Sequence, residues 1–150
     1  MTKVRPAAFA YPDTSYPVPT LPDLSNDEER RRLSAAALKA LFNIVDRWEV
    51  RDEDARKLLG RVSNGAYYQL KQNPRGKTLD QDRLTRISYL IGIFKSLNIL
   101  YSQRLADQWM QLPNTNPIFG GRTPLDYILR GGSPAMDMVR RLLDARRGGR

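Results

Sequence analysis

Residues 52–77 read DEDARKLLGRVSNGAYYQLKQNPRGK, and the reading of this stretch decides the fold. Asp52, Glu53 and Asp54 open a short run, 52–59, that Gly60 ends. Acids in a first turn suit the positive end of a helix. Ser63 is a capping residue for a second run, 63–73, whose interior is Ala66, Tyr67, Tyr68, Gln69, Leu70 and Lys71. Asn73-Pro74 and Gly76 stop that run. Two short helices joined by a glycine turn form a helix-turn-helix, whose second helix can enter a DNA major groove. Many helical domains that bind no DNA contain the same pair. The register is displaced by one residue. A small residue usually stands four before the turn glycine, but here Arg56 does and Ala55 lies five before.

The exposed side chains expected on the second helix are Ser63, Asn64, Tyr67 or Tyr68, Gln69 and Lys71. Asn and Gln can pair with adenine edges, and Tyr and Ser can donate to phosphates. Arg61, Lys71, Arg75 and Lys77 surround the element and would neutralise phosphates.

Outward from this pair the chain reads as helix on both sides. Ser25 or Asn26 can cap a helix with Asp27, Glu28 and Glu29 in its first turn. Ala37, Leu38, Leu41, Ile44, Val45 and Trp48 follow at helical spacing. The longest helix spans 80–100. Leu84, Ile87, Leu90, Ile91, Phe94 and Leu97 face one way, and Ile93, Ile99 and Leu100 widen the stripe. A helix apolar on most sides is the central post of a small all-α core. Leu105, Ala106, Trp109 and Met110 give a short amphipathic helix before Pro113. Thr123-Pro124 and Ser133-Pro134 each open a further helix, with a hydroxyl at the cap and proline at the first helical position. Asp126 stands where a capping box has its acid. Gly131-Gly132 separates the two helices, and Ala135, Met138, Val139, Leu142 and Leu143 share one side of the last. The expected class is all-α: a small helical bundle with a helix-turn-helix half (27–100) and a C-terminal helical half (101–150). Residues 1–26 hold Pro6, Pro12, Pro17, Pro19 and Pro22 with Tyr11 and Tyr16 between, the composition of an extended arm.

The 150 residues carry 25 Lys plus Arg against 16 Asp plus Glu, a net charge of +9. Residues 1–32 are neutral, 33–98 carry +5 and 99–150 carry +4, so the excess sits in the two halves expected to fold. That charge points to an anionic partner. The chain has no His and no Cys. Disulfides, thiolate zinc sites and Ser-His-Asp or Cys-His catalysis are therefore excluded. The acidic clusters 52–54 and Asp80/Asp82 fall in first turns, where helix-dipole compensation accounts for them without a metal. Gly120-Gly121 precedes a helix but lacks the spacing and Lys of a phosphate loop, so a tight turn is the simpler reading. The expectation is a non-enzyme without cofactor or metal, cytoplasmic and without a membrane segment.

Residues 109–148, WMQLPNTNPIFGGRTPLDYILRGGSPAMDMVRRLLDARRG, closely resemble the C-terminal toxin-binding domain of Xre/MbcA/ParS-type antitoxins. The matching features are Trp109, Pro113-Asn114, Asn116-Pro117, Phe119-Gly120-Gly121 and Thr123-Pro124-Leu125-Asp126, then a glycine gap and a helix with Leu142-Leu143. The upstream half resembles the Xre-like helix-turn-helix of the same family. The resemblance implies a type II antitoxin without enzymatic activity. Its partners would be a cognate RES-domain toxin that consumes NAD or ADP-ribosylates a target, and operator DNA. It would act as a homodimer and in a toxin–antitoxin hetero-oligomer, repressing its own operon. The alternative is a stand-alone regulator whose C-terminal half only dimerises. The resemblance places toxin contacts in the C-terminal half, with candidates Asn116, Pro117, Phe119, Gly120, Gly121 and Arg122. It also assigns inhibition to the chain end. There Arg146, Arg147, Gly148, Gly149 and Arg150 form a narrow, basic stretch suited to plug a dinucleotide cleft, with arginines offering planar donors to carboxylates. A basic tail that only complements its helix dipole is the plainer alternative.

Overall fold

The structure, a computed structural model, describes residues 21–148. The arm over 1–20 and the last two residues, Gly149 and Arg150, lie outside the described residues. The described chain contains α1 (Asp27–Arg47), α2 (Asp52–Leu58), α3 (Asn64–Gln72), α4 (Gln81–Leu100), α5 (Gln103–Gln108) and α6 (Pro124–Arg147). One-turn 3-10 helices at Pro74–Gly76, Trp109–Gln111 and Pro117–Phe119 link them, and no strand occurs among the described residues. The protein is all-α.

Local chemistry sets most helix starts. Asn26 caps α1 by accepting from Glu29 N–H at 3.0 Å, while Ser25 bonds to Asp23 instead. Ser63, Asp80, Ser102 and Thr123 accept from the third residue onward in α3, α4, α5 and α6. Each such bond satisfies a backbone donor the helix leaves orphaned, worth about 1 kcal/mol. The Asp126 carboxylate departs from the capping-box expectation. It turns to Arg130 Nε at 3.0 Å and Arg122 Nε at 3.5 Å, since two guanidinium partners outweigh one backbone N–H.

α4 is the central post, packed between α1 and α6. Leu84, Ile87, Leu90, Ile93 and Leu97 are buried. Ile91 and Phe94 are half-buried, and Ile99, expected to widen the stripe, is 62% exposed. Contact on two sides explains why Ile93 is inside although it lies off the main stripe. The two helices expected around Gly131-Gly132 are both present within α6, separated by a kink at the non-helical backbone of Gly132 (φ 71°, ψ −154°). Met138, expected on the apolar side of the last helix, is 48% exposed, while Ala135, Met136, Val139 and Leu143 are buried. No helix among the described residues is long and apolar enough to cross a membrane.

Candidate nucleic-acid and toxin interfaces

The turn between α2 and α3 is built from backbone hydrogen bonds. Gly60 N–H donates to Lys57 C=O at 2.9 Å, and Arg61 N–H donates to Arg56 C=O at 2.8 Å. This is the Schellman closure of a helix, which needs a left-handed residue just past the end. Gly60 supplies it at φ +88°. Arg61 follows at φ +66°, a second left-handed residue and an unusual one for a side chain of that size. Arg56 is half-buried, and its Nε donates to Val62 C=O at 3.1 Å. Ala55, fully buried, takes the small-residue place against the core. The one-residue displacement read in the sequence is thus absorbed by the turn.

α3 presents its outer face to solvent. Ser63, Asn64, Tyr68, Gln69 and Lys71 are exposed, as are Arg61, Arg75 and Lys77. Tyr67 corrects the expectation: it is 2% exposed and packs edge-on to Phe42 of α1 at 5.6 Å between ring centroids. Its hydroxyl is buried without a hydrogen-bond partner. Burial, with a smaller push from Asp52, raises its pKa to about 12. Tyr67 therefore anchors α3 to the core and cannot touch DNA, and Tyr68, 60% exposed, occupies the surface. Gln72, which the sequence reading passed over, donates from Nε2 to the Tyr68 hydroxyl at 3.0 Å. Its i+4 spacing from Tyr68 was the available signal. Lys71 sits beside this face, its Nζ 3.6 Å from Asp52 and 5.9 Å from the Tyr67 ring centre.

The C-terminal candidates divide differently. Asn116 is half-buried and folds its own loop: its N–H donates to Asn114 Oδ1 at 2.8 Å and its Oδ1 accepts from Ile118 N–H at 3.0 Å. Pro117 starts the following 3-10 turn and is exposed. Gly120 and Gly121 are exposed, both with positive φ (57° and 83°), which reverses the chain ahead of α6. Arg122 is exposed. Phe119 corrects the expectation of a surface contact. It is 1% exposed, edge-on to Trp109 at 6.1 Å and to Tyr127 at 5.3 Å. Its place is the core beneath the loop. Leu105, Leu112, Ile118 and Met138 are exposed large apolar side chains of this half that the sequence reading did not name as contacts.

At the chain end the arginines fold back. Arg146 Nη1 donates to the Tyr101 hydroxyl at 3.0 Å. Arg147 Nη1 donates to the buried Ser96 Oγ at 3.2 Å and lies 3.8 Å from Asp144, which itself accepts from Ser96. Both residues stay exposed, but their guanidinium groups bond back to the buried hydroxyl on α4 and to the tyrosine that follows it. Gly148 closes the described chain.

Two family models match the chain. Residues 27–92 match the antitoxin Xre-like helix-turn-helix domain, and residues 96–149 match the antitoxin Xre/MbcA/ParS C-terminal toxin-binding domain. The chain belongs to the Xre/MbcA/ParS antitoxin family. The two matches meet inside α4, so the post that holds the core also joins the DNA-binding and toxin-binding parts of this antitoxin. It is 38% identical over 115 residues to the uncharacterized protein y4oB of Sinorhizobium fredii (strain NBRC 101917 / NGR234), covering 76% of this chain and 86% of that protein. No solved structure matches.

Proposed function

We propose that the antitoxin silences a RES-fold toxin, one that consumes NAD or uses it to ADP-ribosylate a target, and represses the operon encoding both. Residues 27–100 would bind operator DNA through α3, and residues 101–150 would bind the toxin, with the chain acting in the cytoplasm as a homodimer. The observation that carries this reading is the union in one chain of an exposed, cation-flanked second helix and the toxin-binding domain of antitoxins. Asn64, Gln69 and Gln72 offer amide groups suited to adenine edges. Arg61, Lys71, Arg75 and Lys77 offer charge to phosphates. On the toxin side, the exposed Pro117, Ile118 and Arg122, with Met138 on α6, present the mix of apolar and guanidinium groups that favours a protein interface.

The test is co-purification of the tagged chain with the product of the adjacent gene, followed by mobility shift of the intergenic DNA. A complex that retains the toxin and shifts the operator supports the proposal. A chain that shifts the operator but binds no neighbouring protein leaves only the stand-alone regulator.

A further inference from the structure

α3 stands as a ridge between two clefts. On one side Gln69, Asn73, Lys77 and Arg83 line a groove against the start of α4. On the other side Arg32 and Lys39 of α1 face Lys71, Asn73 and Arg75 across a floor that includes Phe42 and Pro74. At 100° per residue, Tyr68 and Gln72 mark the outward line of α3, with Gln69 on one flank and Lys71 on the other. Tyr67 and Leu70, which are buried, point the opposite way.

Charge separates the two clefts. The first includes Asp80, whose carboxylate holds Arg83 at 2.7 Å. The second has four cations and no acid among its lining residues. Arg32 pairs with Glu29 and Lys71 with Asp52. Lys39 and Arg75 are exposed and have no acidic partner among the described residues. Two unpaired cations beside two paired ones, over an apolar floor, attract a polyanion.

We infer that the second cleft seats the sugar–phosphate backbone of one strand of the duplex read by α3, with Lys39 and Arg75 as its phosphate donors. The inference rests on the DNA-binding reading above. A helix with its side chains is about 10–12 Å across, and the major groove is about 12 Å wide. A helix inserted there has a phosphate strand along each flank. Lys77 meets one strand, and the Lys39–Arg75 pair meets the other. Lys39 lies on α1, which adds the first helix of the domain to the DNA footprint.

The experiment measures operator affinity by fluorescence anisotropy over a salt series, using the full chain. Each phosphate contact contributes about 0.9 to the slope of log K against log salt, so losing one lowers affinity about eightfold at 0.1 M salt. Lys39→Ala is expected to show that loss per bound copy on operator and on unrelated DNA alike, and Arg75→Ala likewise. Arg104→Ala removes the same charge on α5, beyond the C-terminal end of α4, and is expected to leave the slope as in wild type. Because Lys39 is exposed, its removal leaves the fold intact, which circular dichroism checks. If wild type binds DNA and Lys39→Ala keeps its slope, the cleft is no phosphate seat, although α3 still reads DNA. If wild type binds no DNA, the inference and the reading beneath it fall together. Loss of toxin affinity with unchanged DNA binding would assign the cleft to a protein partner and overturn the inference.

Discussion

Arg47, on the last turn of α1, and Asp107, on α5, form a two-point ion pair across the two halves of the antitoxin. Nη2 lies 3.1 Å from Oδ1, and Nε donates to Oδ2 at 3.2 Å. The guanidinium also rests 5.5 Å from the centre of the Phe94 ring on α4. Nearby, Gln111 donates to the Trp48 and Glu49 carbonyls at 3.0 and 3.1 Å. The end of α1 is therefore tied to the segment that opens the toxin-binding half. With both side chains less than a third exposed, the pair falls between a surface bridge and a buried one. Asp107→Ala is expected to cost about 1–2 kcal/mol, read by urea denaturation, and Asp107→Asn less. A stability unchanged within error in both variants would show that the bridge contributes nothing.

Tyr67 and Tyr68 are neighbours with opposite roles. Tyr67→Phe removes a buried hydroxyl that has no partner, so stability is expected to hold or rise by up to about 1 kcal/mol, with DNA binding unchanged. Tyr68→Ala is expected to weaken operator binding without loss of stability. The pH dependence follows from the shift. Tyr67 ionises near 12 when folded and near 10 when unfolded, so its neutral form is favoured by the fold. Its contribution is fully present below about pH 10 and is lost as pH rises toward 12. Unfolding curves from pH 9 to 11.5 should fall more steeply for wild type than for Tyr67→Phe.

Arg61 occupies a left-handed backbone position that favours glycine. A strained, exposed cation at the start of α3 is explained if its charge is used. Arg61→Gly is expected to stabilise the fold by about 0.5–1 kcal/mol and to weaken binding to any DNA sequence. Melting temperature and anisotropy, measured on the same preparation, should move in opposite directions. Unchanged DNA affinity would remove Arg61 from the interface.

The chain end calls for two variants rather than one. Deleting residues 148–150 is expected to leave the fold and DNA binding intact and to weaken toxin inhibition by about tenfold, or about 1.4 kcal/mol. Arg147→Ala is expected to lower stability as well, because Arg147 is bonded to Ser96 and sits beside Asp144. If the truncated chain neutralises toxin with unchanged affinity, the tail is no plug. Inhibition then falls to the loop around Pro117 and Ile118 and to the outer faces of α6.

What was legible in the sequence was local. Asn26, Ser63, Asp80 and Thr123 announce helix starts because a cap acts on a backbone three residues away. The central role of α4 was readable because Leu84, Ile87, Leu90 and Leu97 repeat along one helix. What was illegible depends on partners distant in the chain. Which of two adjacent tyrosines turns inward is settled by Phe42, on another helix. Phe119 reads as a loop contact until Trp109 and Tyr127 are seen to enclose it. Arg146 and Arg147 look like a projecting tail until Tyr101 and Ser96 receive them. Lys39 carries no signal at all in its own helix, and its meaning arises only where Arg75 and Lys71 approach it.

Direct binding that silences an NAD-using toxin is what the proposed function requires of this antitoxin. The measurement is NAD turnover by the purified product of the adjacent gene, titrated with the full-length chain. Turnover is expected to fall in proportion to added chain and to stop at a fixed stoichiometric ratio, with a mixed complex forming at that ratio. Turnover that continues at its full rate in a tenfold excess of chain would contradict the proposed function.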